Sequence, residues 1–85
     1  MTPDKIEEYI EKKERKNAAL NIHFKDRNTV TGVFIQSGDY NELKSKNFWR
    51  IVSSPNLEEW KQTKNEGLAR IYNGMAFTRI SDEKN

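Results

Sequence analysis

Trp49-Arg50, and further along Arg70, Tyr72, Phe77 and Arg79, interleave guanidinium groups with aromatic rings. Single-stranded nucleic acid is bound by such sets, because bases stack on rings while arginines neutralise phosphates. The same residues also fit a plainer role, with Phe and Tyr in a core and Arg stems lying over its surface. Trp60 stands three residues after Leu57 in an otherwise polar stretch. That pair is either a lid over a core or a contact point for a protein partner, where Trp is a frequent anchor.

Other reactive residue types are scattered. His23 is the only histidine and cysteine is absent, so no metal-ligand set is legible. Ser, His and Asp occur without a nucleophile elbow or similar local signature. Glu7-Glu8 and Glu58-Glu59 read as helix-surface pairs. Tyr9…Lys13 and Tyr40…Lys44 have the Tyr-x-x-x-Lys spacing found in short-chain dehydrogenases, where the lysine lowers the tyrosine pKa. That chemistry needs a Rossmann domain, and Gly32, Gly38, Gly67 and Gly74 cannot form its G-x-G-x-x-G fingerprint. The expectation is a non-catalytic protein with no cofactor and no metal.

The elements that would position these residues follow from periodicity. Thr2-Pro3-Asp4 is a helix start, with a hydroxyl N-cap, Pro at the first helical position and an acid in the first turn. Ile6, Tyr9 and Ile10 continue it as a narrow apolar stripe, predicting a helix over 3–16. Beyond Asn17 the period drops to 2, and Leu20, Ile22 and Phe24 alternate with polar residues. Strands are expected at about 19–25, 29–37 and 47–53, with Gly32 marking a bend or close backbone approach. Residues 38–47 read as a polar loop. Asn56 and Glu59 suggest a capping box for a short helix over 57–64. The last strands, 67–72 and 75–80, read as a β-hairpin on a type I′ Asn73-Gly74 turn. That register would pair Tyr72 with Met75, Arg70 with Phe77 and Leu68 with Arg79.

Length and charge bound the function. The 85 residues allow one domain, 1–85, too small for a doubly wound enzyme or a TIM barrel. Apolar residues are 34% and charged residues 33%, so the core is thin and leans on nine aromatics. The net charge is +2, distributed as 0 over 1–16, +2 over 17–53, −1 over 54–66 and +1 over 67–85. A basic surface must therefore come from the middle and the C-terminal part. No apolar run exceeds three residues, which leaves no membrane helix and no signal peptide; a cytoplasmic protein is expected.

A helix, five short strands and a thin core predict an α+β, mainly β, domain. The architecture is an N-terminal helix on a strongly bent five-stranded barrel, with a short helix inserted before the last hairpin. This layout resembles the Sm-like fold, a variant of the SH3-like barrel. VTGVFIQSGDYNEL supplies Gly32, Phe34, Asp39 and Asn41 for the family's first motif, with the Gly–Asp interval one residue longer. IYNGMAFTRI supplies Tyr72, Gly74, Phe77 and Ile80 for the second, with Asn73 where Arg is usual. The resemblance implies RNA contacts from the two motif loops and ring assembly through the edges of the fourth and fifth strands. Two functions are thus expected. The first is binding of RNA or single strands by Tyr40, Asn41, Arg50, Arg70, Tyr72, Asn73 and Arg79. The second is protein–protein contact or self-association through the hairpin edge, with Trp60, Leu57 and Phe77.

Overall fold

The computed structural model describes residues 1–12 and 19–82. Helix α1 spans Pro3–Lys12, and the expected continuation through 13–16 lies outside the described residues. Thr2 caps it as the sequence suggests, its Oγ1 accepting the Lys5 N–H at 3.3 Å. Five strands follow: β1 Leu20–Phe24, β2 Val30–Phe34, β3 Phe48–Ser53, β4 Arg70–Asn73 and β5 Phe77–Asp82. They form one antiparallel sheet in the order β4-β3-β2-β1-β5.

This order corrects the expected terminal hairpin. β4 and β5 are consecutive in the chain but lie on opposite edges of the sheet. Tyr72 pairs with Trp49 and Arg70 with Ile51, while Phe77 pairs with Phe24 and Arg79 with His23. A type I′ turn needs positive φ at both central residues, whereas Asn73 has φ −87° and Gly74 is not in the positive region. The link is instead a 3-10 turn over Gly74–Ala76. Asn73 Oδ1 accepts the Met75 N–H at 2.9 Å, and the Gly74 N–H donates to the Asn47 carbonyl at 2.8 Å. Gly74 is required for space: a Cβ there would run into Asn47 Oδ1 and lie 2.7 Å from Ile6 Cδ1.

Residues 38–47, expected as a loop, contain a second helix, α2, at Tyr40–Ser45. Only Tyr40 and Leu43 offer apolar surface in it, too few to establish a 3.6-residue period. It ends at Asn47, whose φ of 63° turns the chain into β3. The third helix, α3, is Leu57–Thr63, preceded by a 3-10 turn over Ser54–Asn56. Asn56 makes no side-chain cap, so the expected capping box does not form.

Alternation along the strands divides the core between the two faces of the sheet. One cluster holds Ile6, Ile10, Leu20, Ile22, Trp49, Ile51, Phe77 and Ile80, so α1 packs on this face. The other is smaller, with Val33, Ile35, Val52 and Trp60. Burying a large apolar side chain contributes about 1.5–3 kcal/mol, so Trp60 is a principal stabiliser of the second cluster. Gly32 allows β3 to approach, since a Cβ would collide with the Val52 carbonyl oxygen.

The two edges of the sheet are drawn toward each other. Three residues connect β4 to β5, and the ring of Phe24 on β1 reaches Tyr72 on β4 at 5.7 Å, although β3 and β2 lie between those strands in the ladder.

Candidate nucleic-acid interface

The residues expected to bind nucleic acid fall into two groups. In the first, the polar side chains are occupied by structural partners. Arg50 Nη2 donates to Asp39 Oδ2 at 2.6 Å and its Nε to Oδ1 at 3.3 Å. The hydrogen bonds from Arg50 hold the Asp39 carboxyl below its ordinary value, and those to Asp39 raise the guanidinium in turn. A guanidinium so engaged has little left for a phosphate. Asn73 uses its side-chain oxygen on the following turn, as above.

Tyr40 is similarly committed. Its ring meets Trp49 edge to face at 6.0 Å, and its hydroxyl donates to Glu7 Oε2 at 3.3 Å. Lys44 Nζ sits 2.9 Å from both Glu7 oxygens. This cluster ties α2 to α1. Burial, followed by the negative charge of Glu7, pushes the Tyr40 phenol well above the usual tyrosine range. The Tyr40…Lys44 spacing thus yields a phenol that is harder to deprotonate, the reverse of the activated tyrosine that spacing supplies in a dehydrogenase. For Tyr9…Lys13, the lysine lies outside the described residues. Asn41 is exposed on α2.

The second group is free to act. Tyr72 is half-buried, and Arg70 and Arg79 are exposed on the two edge strands. Tyr72 belongs to a site that the sequence did not reveal as a unit. The Arg27 guanidinium carbon stands 5.3 Å from the Phe24 ring centroid and 5.5 Å from that of Tyr72. Phe24 is braced from behind by Phe77, edge to face at 5.1 Å. The Lys25 N–H donates to the Ala76 carbonyl at 3.1 Å, which fixes the β1–β2 turn against the β4–β5 link. Within that link Met75 is 67% exposed.

Arg27 reads from sequence as a turn residue and Phe24 as the inward phase of a strand. Their meeting with Tyr72 depends on the approach of β1 to β4, which no local spacing encodes. An exposed cation such as Arg27 over a ring is worth about 0.5–1 kcal/mol, weak enough for an incoming base to compete for the rings. Among the described residues, Lys44, Lys46 and Arg50 each pair with a carboxylate, whereas Arg27, Arg70 and Arg79 do not. The unpaired guanidinium groups lie on strands and on the β1–β2 turn. The acids Asp4, Glu8, Glu58 and Glu59 lie on α1 and α3.

The expected partner-binding residues are mostly interior. Phe77 is 1% and Trp60 8% exposed, and Leu57 is half-buried beside Trp60. A surface contact through Phe77 is therefore corrected: its ring forms part of the core and supports Phe24. Trp60 closes the second cluster, with Lys64 Nζ 4.2 Å from its ring centroid. The large apolar side chains that do face outward are Ile71, at 49%, and Met75.

His23 lies on the polar phase of β1 and is hydrogen-bonded through both ring nitrogens. Nε2 is 3.1 Å from Ser81 Oγ and Nδ1 is 3.2 Å from Thr29 Oγ1. Among the described residues, no group of three or more His, Cys, Asp or Glu could hold a metal ion, and no helix is long and apolar enough to cross a membrane. No family model, curated protein or solved structure matches the chain.

Proposed function

We propose that this chain is a small binding module for single-stranded nucleic acid, RNA included, and that Phe24, Tyr72 and Arg27 form its base-stacking site. The observation that carries this reading is the placement of one unpaired guanidinium over two partly buried rings. A base entering there stacks on Tyr72 and Phe24, and the displaced Arg27 turns to a phosphate. Arg70, on the same strand as Tyr72, supplies further positive charge. The scaffold in this proposal is an Sm-like or SH3-like barrel, supported by the five-strand order and by the three-residue link between the two edge strands. A cytoplasmic setting accords with a chain that has no cysteine.

Fluorescence anisotropy with a labelled twelve-nucleotide oligo(dT) or oligo(U) tests the site. Base–aromatic stacking is worth about 1–3 kcal/mol per base, so Tyr72→Ala weakens binding by roughly 5- to 150-fold. Arg27→Ala lowers the affinity and makes its salt dependence shallower. Affinity that is unchanged in both variants removes this surface from the reading.

A second reading rests on Ile71, 49% exposed on the edge strand β4. Edge strands with outward apolar residues invite pairing with another chain, so self-association through β4 and β5 is the competing function. Light scattering distinguishes the two: a multiple of 10.0 kDa that collapses on Ile71→Lys favours assembly.

A further inference from the structure

The face of β1 and β5 turned away from the main core carries Asn21, His23, Arg79 and Ser81. Cross-strand partners share a face of the sheet. Ile22 and Ile80 stand opposite each other and are buried, so the adjacent pairs, His23–Arg79 and Asn21–Ser81, belong to the other face. Arg79 is exposed. Ser81 and Thr29 bracket the imidazole of His23 from β5 and from the residue just before β2, at 3.1 and 3.2 Å. Thr31 Oγ1, farther along the same face, donates to Asn21 Oδ1 at 2.6 Å and is occupied.

We propose that this face holds a phosphodiester group of the bound strand, through Arg79 and the hydroxyls of Ser81 and Thr29, with His23 orienting the hydroxyls. The inference rests on the nucleic-acid reading above and adds a second contact point to it. Charge complementarity favours a phosphodiester: Arg79 has no carboxylate partner among the described residues, and its cross-strand partner His23 is held between two hydroxyls.

Counting protons gives the site a distinctive property. A neutral imidazole has one N–H, so its other nitrogen accepts a hydrogen bond from one of the two hydroxyls. Only the remaining hydroxyl can then donate outward. When His23 takes up a proton, both ring N–H groups donate to the hydroxyl oxygens, and Ser81 and Thr29 can each give a hydrogen bond to the anion. Phosphodiester binding is thereby coupled to proton uptake by His23.

The charged groups on the neighbouring described residues are mainly basic. Arg79 lies opposite on β5, Lys25 follows directly after β1, and Arg27 lies in the turn with Asp26 as the acid there. Asp82 pairs with Leu20, and among the described residues the β2 side offers Thr29 and Thr31. A bound phosphodiester offsets this positive surround.

The test uses the full chain with a twelve-nucleotide oligo(dT) at fixed pH near 6.5. Affinity is followed against salt, and the His23 imidazole nitrogens are followed by NMR. Binding is expected to move both nitrogens toward the doubly protonated position. Arg79→Gln is expected to reduce the slope of log K against log salt by about 1. Ser81→Ala is expected to weaken binding several-fold and blunt the imidazole shift. Tyr72→Ala should lower affinity while leaving the slope in place. If the unsubstituted protein does not bind oligo(dT), the nucleic-acid reading fails and this inference with it. If it binds with Tyr72 required, but the imidazole stays still and Arg79→Gln keeps the full slope, this inference alone is overturned.

Discussion

Asn47 is the residue on which three separated parts of the chain converge, and replacing it should be more damaging than its polar character suggests. It is 7% exposed and holds φ at 63°. Its Nδ2 donates to the Met1 carbonyl at 2.9 Å, its Oδ1 accepts the Trp49 Nε1–H at 2.8 Å, and its own carbonyl accepts the Gly74 N–H. The Met1 amino group in turn donates to the carbonyls of Gly74 and Phe77, both at 3.0 Å. One asparagine therefore ties the start of β3 to the β4–β5 link and to Met1, ahead of α1.

Asn47→Ala acts in three ways. Trp49 is 2% exposed, so its indole N–H is left buried without an acceptor, costing about 1–3 kcal/mol. The bond to Met1 is lost, about 0.5–1.5 kcal/mol. Alanine in the left-handed region adds about 1 kcal/mol that asparagine largely avoids. The total is on the order of 3–5 kcal/mol, against a stability of about 5 kcal/mol at the low end for small domains.

Urea unfolding followed by far-UV circular dichroism measures this without relying on either tryptophan. Asn47→Gly keeps the backbone relaxed and should fall between the native chain and Asn47→Ala. In a Trp49→Phe background the stranded donor no longer exists, so Asn47→Ala should cost about 1–3 kcal/mol less than it does alone. Equal stabilities for the Gly and Ala variants would refute the backbone argument. Strict additivity with Trp49→Phe would refute the hydrogen-bond argument.

Gly74→Ala should lower the melting temperature by more than 10 °C, because a Cβ meets Asn47 Oδ1, Ile6 and Trp49 at once. Gly38→Ala, with nothing within 4 Å of the new methyl group, should leave the melting temperature unchanged or a few degrees higher. A thermal melt of each variant checks both. At high pH the raised Tyr40 pKa has a definite sign. The folded chain keeps the phenol proton while the unfolded chain releases it near pH 10, so this stabilisation holds below pH 10 and is lost as pH rises above it. The stability advantage of the native chain over Tyr40→Phe should therefore shrink between pH 9 and 11; a constant difference would contradict the assignment.

What was legible in the sequence was local. The cap at Thr2 and the phase of Leu20, Ile22 and Phe24 are set by a few neighbouring residues, and the structure shows both. The close approach at Gly32 appears where a mid-strand glycine implied one. The misreadings at α2 and at the β4–β5 link share a different cause. α2 has little apolar face because its attachment to α1 is polar, made by Tyr40 and Lys44 on Glu7, and no hydropathy period records such a bond. Asn73-Gly74 fits a hairpin turn by composition. Here asparagine serves through its side-chain oxygen and glycine through its missing Cβ, so the same two residues send β5 to the far edge of the sheet. That choice creates the candidate site. In the expected hairpin Tyr72 would pair with Met75; in the observed topology it lies beside Trp49 and reaches Phe24. Arg27, whose place in the sequence suggested only a turn, can cover both rings because the link draws the sheet edges together. The meeting of Phe24, Tyr72 and Arg27 and the departure from a terminal hairpin therefore have one physical origin, a glycine packed closely against Asn47, Ile6 and Trp49.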